Sequence, residues 1–352
     1  MKSGRSLQNF AQELERQRLD KRDLVLSSSL MHHSTQEDGV TELLVEEPRQ
    51  PRRYGVTPLA RKQLADKLKI PLAYFERMRA EQPQLLDRNV NTWLEQEGSR
   101  HMLRTLDGKV RAVLSDRYRR LDNYDLAEHV LPILRQLDGH VVSAELTETR
   151  MYIKYLLPGL QTEIRVGDVV QAGVAISNSE VGQGTLSVQP LIYRLVCSNG
   201  LIAADQSLRK THLGRALGSD NAVTVFQDDT LEAEDRAFFL MVRDVVQSAL
   251  SEATFQQVAE KMKQTMGIEL KGDPTKTVEV LRQRYTLTEA EGSGVLRHLI
   301  MGGELSGYGL VNAVTHYSKE VEDYDRSTEF EALGGKLIEL SSHDWKGLAE
   351  AV

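Results

Sequence analysis

The chain has 352 residues, of which 40% are hydrophobic and 27% are charged, a composition typical of a water-soluble protein with two domains or one domain and a long appendage. No apolar run approaches the roughly 18 residues of a membrane span, and the N-terminal residues lack the apolar stretch of a secretory signal. The single cysteine, Cys197, excludes an internal disulfide and any metal site built from several cysteines. We therefore expect a cytoplasmic protein that makes no contact with a membrane.

Charge is distributed unevenly along the chain. Residues 1–220 carry a net charge of +3, whereas residues 221–352 carry −10. Basic residues concentrate in 49–79 and again in 100–120. One interpretation is a basic face for a polyanion, with the acidic part keeping the protein soluble. The other is a pair of solvated faces with no partner, and the charge pattern leaves both open.

Three regions are predicted from the N-terminus onward. Residues 1–40 combine a charged helical segment with a stretch rich in Ser, His and Gly, and we expect them to be mobile or to pack on another subunit of a homo-oligomer. Residues 41–216 are predicted to form an α+β core. Residues 217–352 show the apolar spacing of amphipathic helices and are predicted to form an acidic helical subdomain.

A helical pair is predicted at the start of the core. Thr57 is a good N-cap and Pro58 suits the first helical position, while Pro71 ends this helix and begins the next. Two short helices around a sharp break resemble a helix-turn-helix, which packs a core more often than it reads DNA. A further helix is predicted over 84–96, with Trp93 buried.

The rest of the core is predicted to be a sheet. Asp107-Gly108 lies between two alternating runs and indicates a β-hairpin. Alternating apolar and polar residues over 141–157, 166–174 and 186–196 predict further strands. A helix is predicted over residues 125–137. The fold class is therefore α+β: a central, mainly antiparallel sheet with helices on one face, an N-terminal helical pair and a C-terminal helical subdomain.

The connector Asn178–Gly184 carries more polar groups than a turn needs. This connector would be a hairpin loop that carries the carboxylate of Glu180. The strand that follows it ends in Arg194, and Asn199 comes shortly after that strand. This pattern suits either a ligand-contacting loop or a structural turn. We expect Glu180 to pair with an arginine, Arg194 first. The candidate loop or contact residues are Asn178, Glu180, Gly182, Arg194 and Asn199.

Signatures of cofactor and metal chemistry are lacking. The chain has no phosphate-binding GxxxxGK[ST] loop, no HExxH and no GxSxG, so we expect no small-molecule cofactor, no metal and no assigned catalytic residue. Cys197 is expected to be buried and inert. Acidic residues at 228–229 and 320–325 are compatible with Mg²⁺-dependent phosphodiester cleavage or with plain solvation. Gly334-Gly335 is expected to end the preceding helix.

Cations and aromatic rings alternate on either side of residue 118. Nucleic acid binding needs cations for phosphates and ring faces for bases. The opposite interpretation is that Tyr118 is a core residue and that the arginines pair with Asp116 and Asp122. The candidate nucleic-acid-binding residues are Arg104, Lys109, Arg111, Arg117, Tyr118, Arg119, Arg120 and Tyr124.

Several phrases together resemble a known family. They include TPLARKQLADKLKIPLAYFERM, LSDRYRRLDNYD, ISNSEVGQGTLSVQPLIYRLVCSNGL and SGYGLVNAVTHYSKEVEDYDRSTEFEALGGKLIEL. Over roughly residues 40–345 the chain resembles the domain-of-unknown-function family 932, the phage- and plasmid-like proteins. The resemblance implies a phage, prophage or plasmid setting but no activity and no catalytic residues. At fold level only, the helix-then-strands core is similar to single-strand annealing proteins of the Rad52 type.

The function expected from these observations is non-enzymatic binding of DNA, single-stranded or duplex, in recombination, replication or repair of a mobile element. One alternative is a protein-interaction module, such as an inhibitor of a host defence enzyme with acidic helices that mimic DNA. A metal-dependent nuclease is the third.

Overall fold

A computed structural model describes residues 1–118, 120–203, 209–210 and 228–351. Within these residues the chain is α+β, as predicted, with strands that pair almost entirely in antiparallel fashion. The strands form two sheets, however, where a single central sheet was expected. The extra sheet arises because residues before position 60 contribute strands of their own.

The first sheet has the strand order β1-β5-β6-β4-β3-β2. Its strands are β1 (Arg22–Ser27), β2 (Met31–Thr35), β3 (Thr41–Val45), β4 (Arg52–Val56), β5 (Arg100–Leu106) and β6 (Lys109–Ser115). All neighbours are antiparallel except β4 and β6. The predicted turn joins β5 to β6: Asp107 and Gly108 both have positive φ, +52° and +68°, as a two-residue hairpin turn requires.

Helices cover one face of this sheet. They are α2 (Pro58–Lys67), α3 (Leu72–Glu81) and α4 (Pro83–Glu97). Thr57 caps α2 as predicted, its hydroxyl accepting from the Ala60 N–H at 3.2 Å. Leu64, Phe75 and Leu94 are buried in the core under these helices. Trp93, expected to be buried, is 52% exposed, because Leu86, Val90 and Leu94 form the inward stripe of α4.

The N-terminal residues are part of the fold. The helix α1 (Leu7–Asp20) buries Phe10 and Leu14 in the core of the second sheet. The strands β1 and β2 belong to the first sheet, at its two edges. Residues 1–40 therefore contact both sheets of their own chain.

The second sheet has the order β11-β10-β9-β8-β7. Its strands are β7 (His140–Leu146), β8 (Met151–Arg165), β9 (Asp168–Asn178), β10 (Leu186–Arg194) and β11 (Asn199–Ile202), and β12 (Arg209–Lys210) pairs with the start of β10. Alternation along β8 separates its two faces. Ile153 and Tyr155 pack with α1, α5 (Asn123–Arg135) and α6 (Asp228–Ala249), whereas Tyr152 and Lys154 lie on the opposite, more polar face.

The C-terminal helices share a core with the second sheet. They are α7 (Glu252–Gln264), α8 (Pro274–Tyr285), α9 (Glu289–Gly302), α10 (Gly307–Tyr317), α11 (Tyr324–Ile338) and α12 (Ser342–Ala349). Val170 and Ile192 of the sheet pack with Phe255, Leu310 and Phe330 of the helices. The predicted boundary between residues 216 and 217 lies outside the described residues.

Gly334 and Gly335 lie inside α11 and do not end it, which corrects the prediction. A Cβ on Gly335 would overlap the backbone carbonyl of Ile202, and one on Gly334 would overlap the Thr315 side chain. The glycines therefore allow α11 to approach the edge strand β11 closely. The same dipeptide that suits a helix end also suits a tight helix–strand contact.

Candidate functional site

The Asn178–Gly184 loop, between β9 and β10, packs on the first sheet. Val181 is 1% exposed and lies against Met102, Ala112 and Leu114, on the sheet face opposite α2–α4. The Gln63 side chain donates to the Val181 carbonyl at 2.7 Å and accepts from the Val113 N–H at 2.8 Å. Gln63 therefore links the loop of the second sheet to strand β6 of the first sheet through hydrogen bonds.

Glu180 is the central charge of this contact and is 3% exposed. Its carboxylate accepts from the Arg111 guanidinium, and the Lys21 Nζ lies 3.4 Å away. The backbone N–H of Asn123 donates to Oε1 at 2.6 Å. Burial alone would raise the pKa of Glu180, but the positive charges of Arg111 and Lys21 outweigh burial and lower it.

Arg104 lies beside Glu180 and is fully buried. Its guanidinium donates to Asp23 Oδ1 at 2.8 Å, to Asp122 Oδ1 at 2.5 Å and to the Glu180 carbonyl at 3.1 Å. Burial would lower the pKa of Arg104, but the surrounding carboxylates raise it overall. Lys21 Nζ pairs with Asp122 Oδ2 at 2.6 Å. Asp122 therefore pairs with both Arg104 and Lys21, and Glu180 with both Arg111 and Lys21.

We call these six side chains the buried charge network. Its members are Lys21, Asp23, Arg104, Arg111, Asp122 and Glu180. Cations and anions are equal in number, so the network is neutral as a whole. Buried ion pairs add little net stability compared with apolar packing, yet breaking one side is costly. The arrangement therefore fixes the relative position of β1, β5, β6, α5 and the loop.

A β-bulge aims Arg111 at Glu180. Arg104 pairs with Ala112, and Thr105 pairs with Val110, so Arg111 is an extra residue with no partner across the hairpin. Such a bulge redirects the side chain at the irregular position. Simple alternation would place Arg111 on the face opposite Ala112, under α2–α4. The bulge instead brings its guanidinium to the loop.

Two further predicted residues of the loop, Asn178 and Gly182, form a tight turn. Asn178 is fully buried and donates to the Leu121 carbonyl at 2.9 Å and to Asn123 Oδ1 at 2.8 Å. Gly182 has φ +75°, and a Cβ there would lie 2.7 Å from Leu114 Cδ2. A side chain at Gly182 would therefore be strained by both conformation and contact.

Two of the predicted nucleic-acid-binding residues are corrected by this geometry. Arg104 is fully buried and Arg111 has a side chain only 13% exposed, because each faces carboxylates of the buried charge network. Neither guanidinium is free to contact a phosphate without leaving a buried carboxylate unpaired. The loop that contacts both arginines belongs to the second sheet, so the sequence of the hairpin does not indicate this contact.

The two predicted aromatic residues are also engaged. Tyr118 is half-buried and its hydroxyl donates to the Ser179 carbonyl at 3.1 Å; burial raises its pKa to about 12. Tyr124 is half-buried, and the Arg18 guanidinium lies 5.0 Å from its ring centroid. The interpretation of Tyr118 as a packing residue therefore agrees with the structure better than a role as a stacking platform.

The remaining predicted cations lie at the surface. Lys109, Arg117 and Arg120 are exposed. Arg120 is 55% exposed and its Nε lies 3.3 Å from Asp23 Oδ2, whereas Lys109 and Arg117 form no ion pair within the described part of the chain. Arg119 lies outside the described residues.

Arg194 and Asn199 do not belong to the loop, so the expected Glu180–Arg194 pair is wrong. Arg194 donates twice to Asp168, at 2.6 Å each, and Tyr308 donates to the same carboxylate. Asn199 donates to Thr315 Oγ1 at 2.6 Å. The length of β10, roughly 27 Å at about 3.3 Å per residue, separates these residues from the loop. Glu180 does pair with an arginine, but with Arg111.

Cys197 is half-buried, where we expected it to be buried. The Arg194 Nη1 donates to its Sγ at 3.3 Å. Arg194 precedes Cys197 by three residues in the sequence. Its chemical inertness stays a prediction.

The acidic stretch at 320–325 does not converge on one point. Glu320 contacts Arg297 and His298, Asp323 caps α11, and Asp325 accepts from the Thr147 hydroxyl at 2.9 Å. Among the described residues, no group of three or more His, Cys, Asp or Glu side chains is placed to hold a metal ion. The side chains at 228–229 lie outside what the structure describes.

Sequence reasoning missed the partners that complete the site. Lys21 and Asp23 come from the segment expected to be mobile, and Gln63 comes from α2. Asp122 was named only in the alternative interpretation, as a partner of the arginines near residue 118; in the structure it pairs with Arg104 and Lys21. Lys21 and Asp23 carried no signal, because Arg104 is 81 positions from Asp23 and Glu180 is 159 positions from Lys21 in the sequence.

Comparison with known proteins gives one result. The family model described as "Domain of unknown function (DUF932)" matches residues 110–333, which include the loop, Arg111, Asp122 and the whole second sheet. No curated protein and no solved structure matches the chain, so the likeness to single-strand annealing proteins stays a prediction. Within the described residues, no helix has the length and apolarity needed to span a membrane. The matched region covers more than half of the chain, and the chain therefore belongs to the DUF932 family.

Proposed function

We propose that the chain is a non-enzymatic DNA-binding protein that acts in recombination, replication or repair of a phage or plasmid. The observation that carries this proposal is the exposed pair Arg117 and Arg120 above a neutral buried charge network. The carboxylates of that network are already matched by Lys21, Arg104 and Arg111. Arg117 forms no ion pair with any described residue, and Arg120, whose Nε lies 3.3 Å from Asp23 Oδ2, is still 55% exposed.

Position supports this assignment. Arg117 and Arg120 lie on the connection between β6 and α5. The connection is held at both ends, by the Tyr118–Ser179 hydrogen bond and by the contacts of Asp122 with Arg104 and Lys21. A pre-positioned cation loses less conformational entropy on meeting a phosphate than a mobile one. The surface is thus suited to phosphate contacts.

The geometry favours contact with phosphates over stacking on bases at this surface. Tyr118 and Tyr124 are both half-buried and both already contact other groups. Phosphate contacts give salt-dependent binding that does not depend on base sequence. We propose such binding here, with single- and double-stranded DNA as the two forms to compare.

The rival proposal of DNA mimicry receives less support from the C-terminal helices. Several of their carboxylates are paired with cations of the same region: Glu339 with Lys261 at 2.7 Å, Asp344 with Arg284 at 2.7 Å, and Glu291 with Arg326 at 2.7 Å. A DNA mimic needs regularly spaced negative charges that are free to meet a partner. Local pairing reduces the charge available on these faces.

A polarisation titration tests the proposal. Labelled single- and double-stranded oligonucleotides are titrated at two or more salt concentrations with the wild type and with the double variant Arg117→Gln, Arg120→Gln. Each lost phosphate contact should lower the slope of log K against log salt by roughly 0.7–0.9, so the double variant should bind more weakly at low salt.

The matched control is Arg88→Gln, Arg135→Gln, which removes the same charge from exposed positions on α4 and α5. Equal slopes for both double variants would show that only net charge matters. Absence of binding by the wild type at low salt would overturn the proposal, and cleavage of the probe that EDTA abolishes would replace it with a nuclease.

A further inference from the structure

A polar cavity of about 370 Å³ lies between the second sheet and α11. Its floor is the face that carries Tyr152, Ser177 and Gln189, which lie on the adjacent strands β8, β9 and β10. Asp325 and Thr328 of α11 form the opposite wall. The volume falls near the lower end of the range for small-molecule sites, about 300–1,000 Å³.

Arg150 and Lys154 contribute positive charges to this cavity, and Asp325 and Glu329 contribute negative ones; Lys154 is paired with Glu331 at 2.6 Å. Arg150 is half-buried, and its guanidinium donates to the Gln183 carbonyl. A Cβ at Gly184 would overlap this guanidinium, so the glycine makes room for it. Among the described residues, no carboxylate forms an ion pair with Arg150. A half-buried cation without a counter-ion is costly, and an anionic ligand group would remove that cost.

The rest of the lining suits a hydrogen-bonding ring system. Ser177 offers a hydroxyl that makes no hydrogen bond within the described structure. Gln189 donates to the Ala203 carbonyl at 3.1 Å, which leaves its own side-chain carbonyl as an acceptor. Ala175 and Ile202 add an apolar surface beside these groups. Amides, hydroxyls and a flat apolar surface are what proteins use to bind an unstacked base.

The cavity is linked by hydrogen bonds to the connection that carries Arg117 and Arg120. Ser179 joins them: its carbonyl accepts from the Tyr118 hydroxyl at 3.1 Å, and its hydroxyl donates to the Thr149 carbonyl at 2.8 Å. Arg117 directly precedes Tyr118, and Arg150 directly follows Thr149. Arg150 is therefore connected to Arg117 through Tyr118, Ser179 and Thr149.

We infer that this cavity binds one nucleotide of the nucleic acid, with the phosphate at Arg150 and the base against the polar face of β8–β10. The inference rests on the proposed function, because it deepens nucleic acid binding into recognition of a single unstacked nucleotide. The residues that line the cavity are not members of the buried charge network and do not include Arg117 or Arg120.

Calorimetry with the four deoxynucleoside monophosphates, and with inorganic phosphate as a separate probe, tests the site. Ser177→Phe fills the cavity, and Arg150→Gln removes the Arg150 charge. The matched control is Ser187→Phe, at the neighbouring position on the same face that pairs with Ser177 but does not line the cavity. We expect at least one monophosphate to bind the wild type, and its affinity to fall at least tenfold in the first two variants and to be unchanged in Ser187→Phe.

The outcomes separate this inference from the proposed function. If the protein binds oligonucleotides equally well with and without Ser177→Phe, and binds no monophosphate, the nucleotide site is overturned. The proposal of DNA binding then still stands. Monophosphate binding without oligonucleotide binding supports the site and overturns the proposed function. Binding of inorganic phosphate alone overturns the nucleotide assignment, as does equal monophosphate affinity in the wild type and Ser177→Phe. The variant Arg117→Gln, Arg120→Gln should weaken oligonucleotide binding but not monophosphate binding.

Discussion

The carboxylate of Glu180 caps the helix that begins at Asn123, through a 2.6 Å hydrogen bond from the Asn123 backbone N–H to Oε1. The N-cap residue itself, Asp122, makes no side-chain cap, because its carboxylate is bonded to Arg104 and Lys21. A helix N-terminus carries unsatisfied N–H groups and a partial positive charge. A loop of the second sheet therefore supplies the negative charge that α5 would ordinarily receive from its own sequence.

The first prediction concerns the pairing of Glu180 with Arg111. Glu180→Gln leaves the Arg111 and Lys21 charges partly uncompensated and should lower the free energy of unfolding by about 3–5 kcal/mol. Arg111→Met should be similarly costly. In the double variant the losses should fall short of additivity by about 0.5–3 kcal/mol. Urea unfolding followed by circular dichroism measures all three.

The control cycle uses Glu180→Gln with Arg194→Met. Their separation along β10 and their different partners predict losses that add within about 0.5 kcal/mol. Additive losses in the Glu180–Arg111 cycle, or strong coupling in the Glu180–Arg194 cycle, would contradict the structure.

The second prediction concerns pH. The pKa of Glu180 is lowered in the folded protein from its usual value of 4.5. A lowered carboxyl pKa contributes stability that is fully present above the unfolded value and is lost as the pH falls toward and through the folded one. The wild type should therefore lose stability below about pH 4.5, and Glu180→Gln should lose less.

Unfolding free energies at pH 7, 5, 4 and 3 provide the measurement. The stability difference between the wild type and Glu180→Gln should be constant from pH 7 to 5 and shrink at pH 4 and 3. A difference that is the same at all four values would mean that Glu180 does not titrate with unfolding. Asp122, whose pKa is also lowered, shares Lys21 with Glu180, so the difference between the two proteins reports the coupled titration of both carboxylates.

Local signals in the sequence predicted much of the fold. Positive φ at Asp107 and Gly108 confirms the hairpin turn, and the Thr57 hydroxyl confirms the cap of α2. These features depend on neighbouring residues, so the residue types suffice to identify them. The alternation of Ile153 and Tyr155 with Tyr152 and Lys154 likewise indicated a strand, because strand periodicity is local.

The site could be predicted only in part, because its contacts are long-range. The loop was singled out by its polar content, and an arginine partner for Glu180 was expected. The identity of that partner depends on a bulge at Arg111 and on contact between two sheets. The residue types next to Arg111 and Glu180 in the sequence indicate neither the bulge nor the contact. Lys21 and Glu180 are 159 positions apart in the sequence, so local sequence patterns cannot predict that they pair.

The third prediction concerns the two glycines of the helix–strand contact. Gly335→Ala should gain up to about 1 kcal/mol in helix propensity, yet its Cβ would overlap the Ile202 carbonyl, which is backbone and cannot move aside cheaply. We expect the clash to dominate, as overpacking typically costs 1–3 kcal/mol, and the thermal unfolding midpoint to fall. Gly347→Ala is the matched control, because Gly347 lies inside α12 with no atom within 4 Å of the added Cβ, and it should raise the midpoint slightly. A Gly335→Ala protein as stable as the Gly347→Ala protein would show that α11 does not approach β11 as closely as the structure places it.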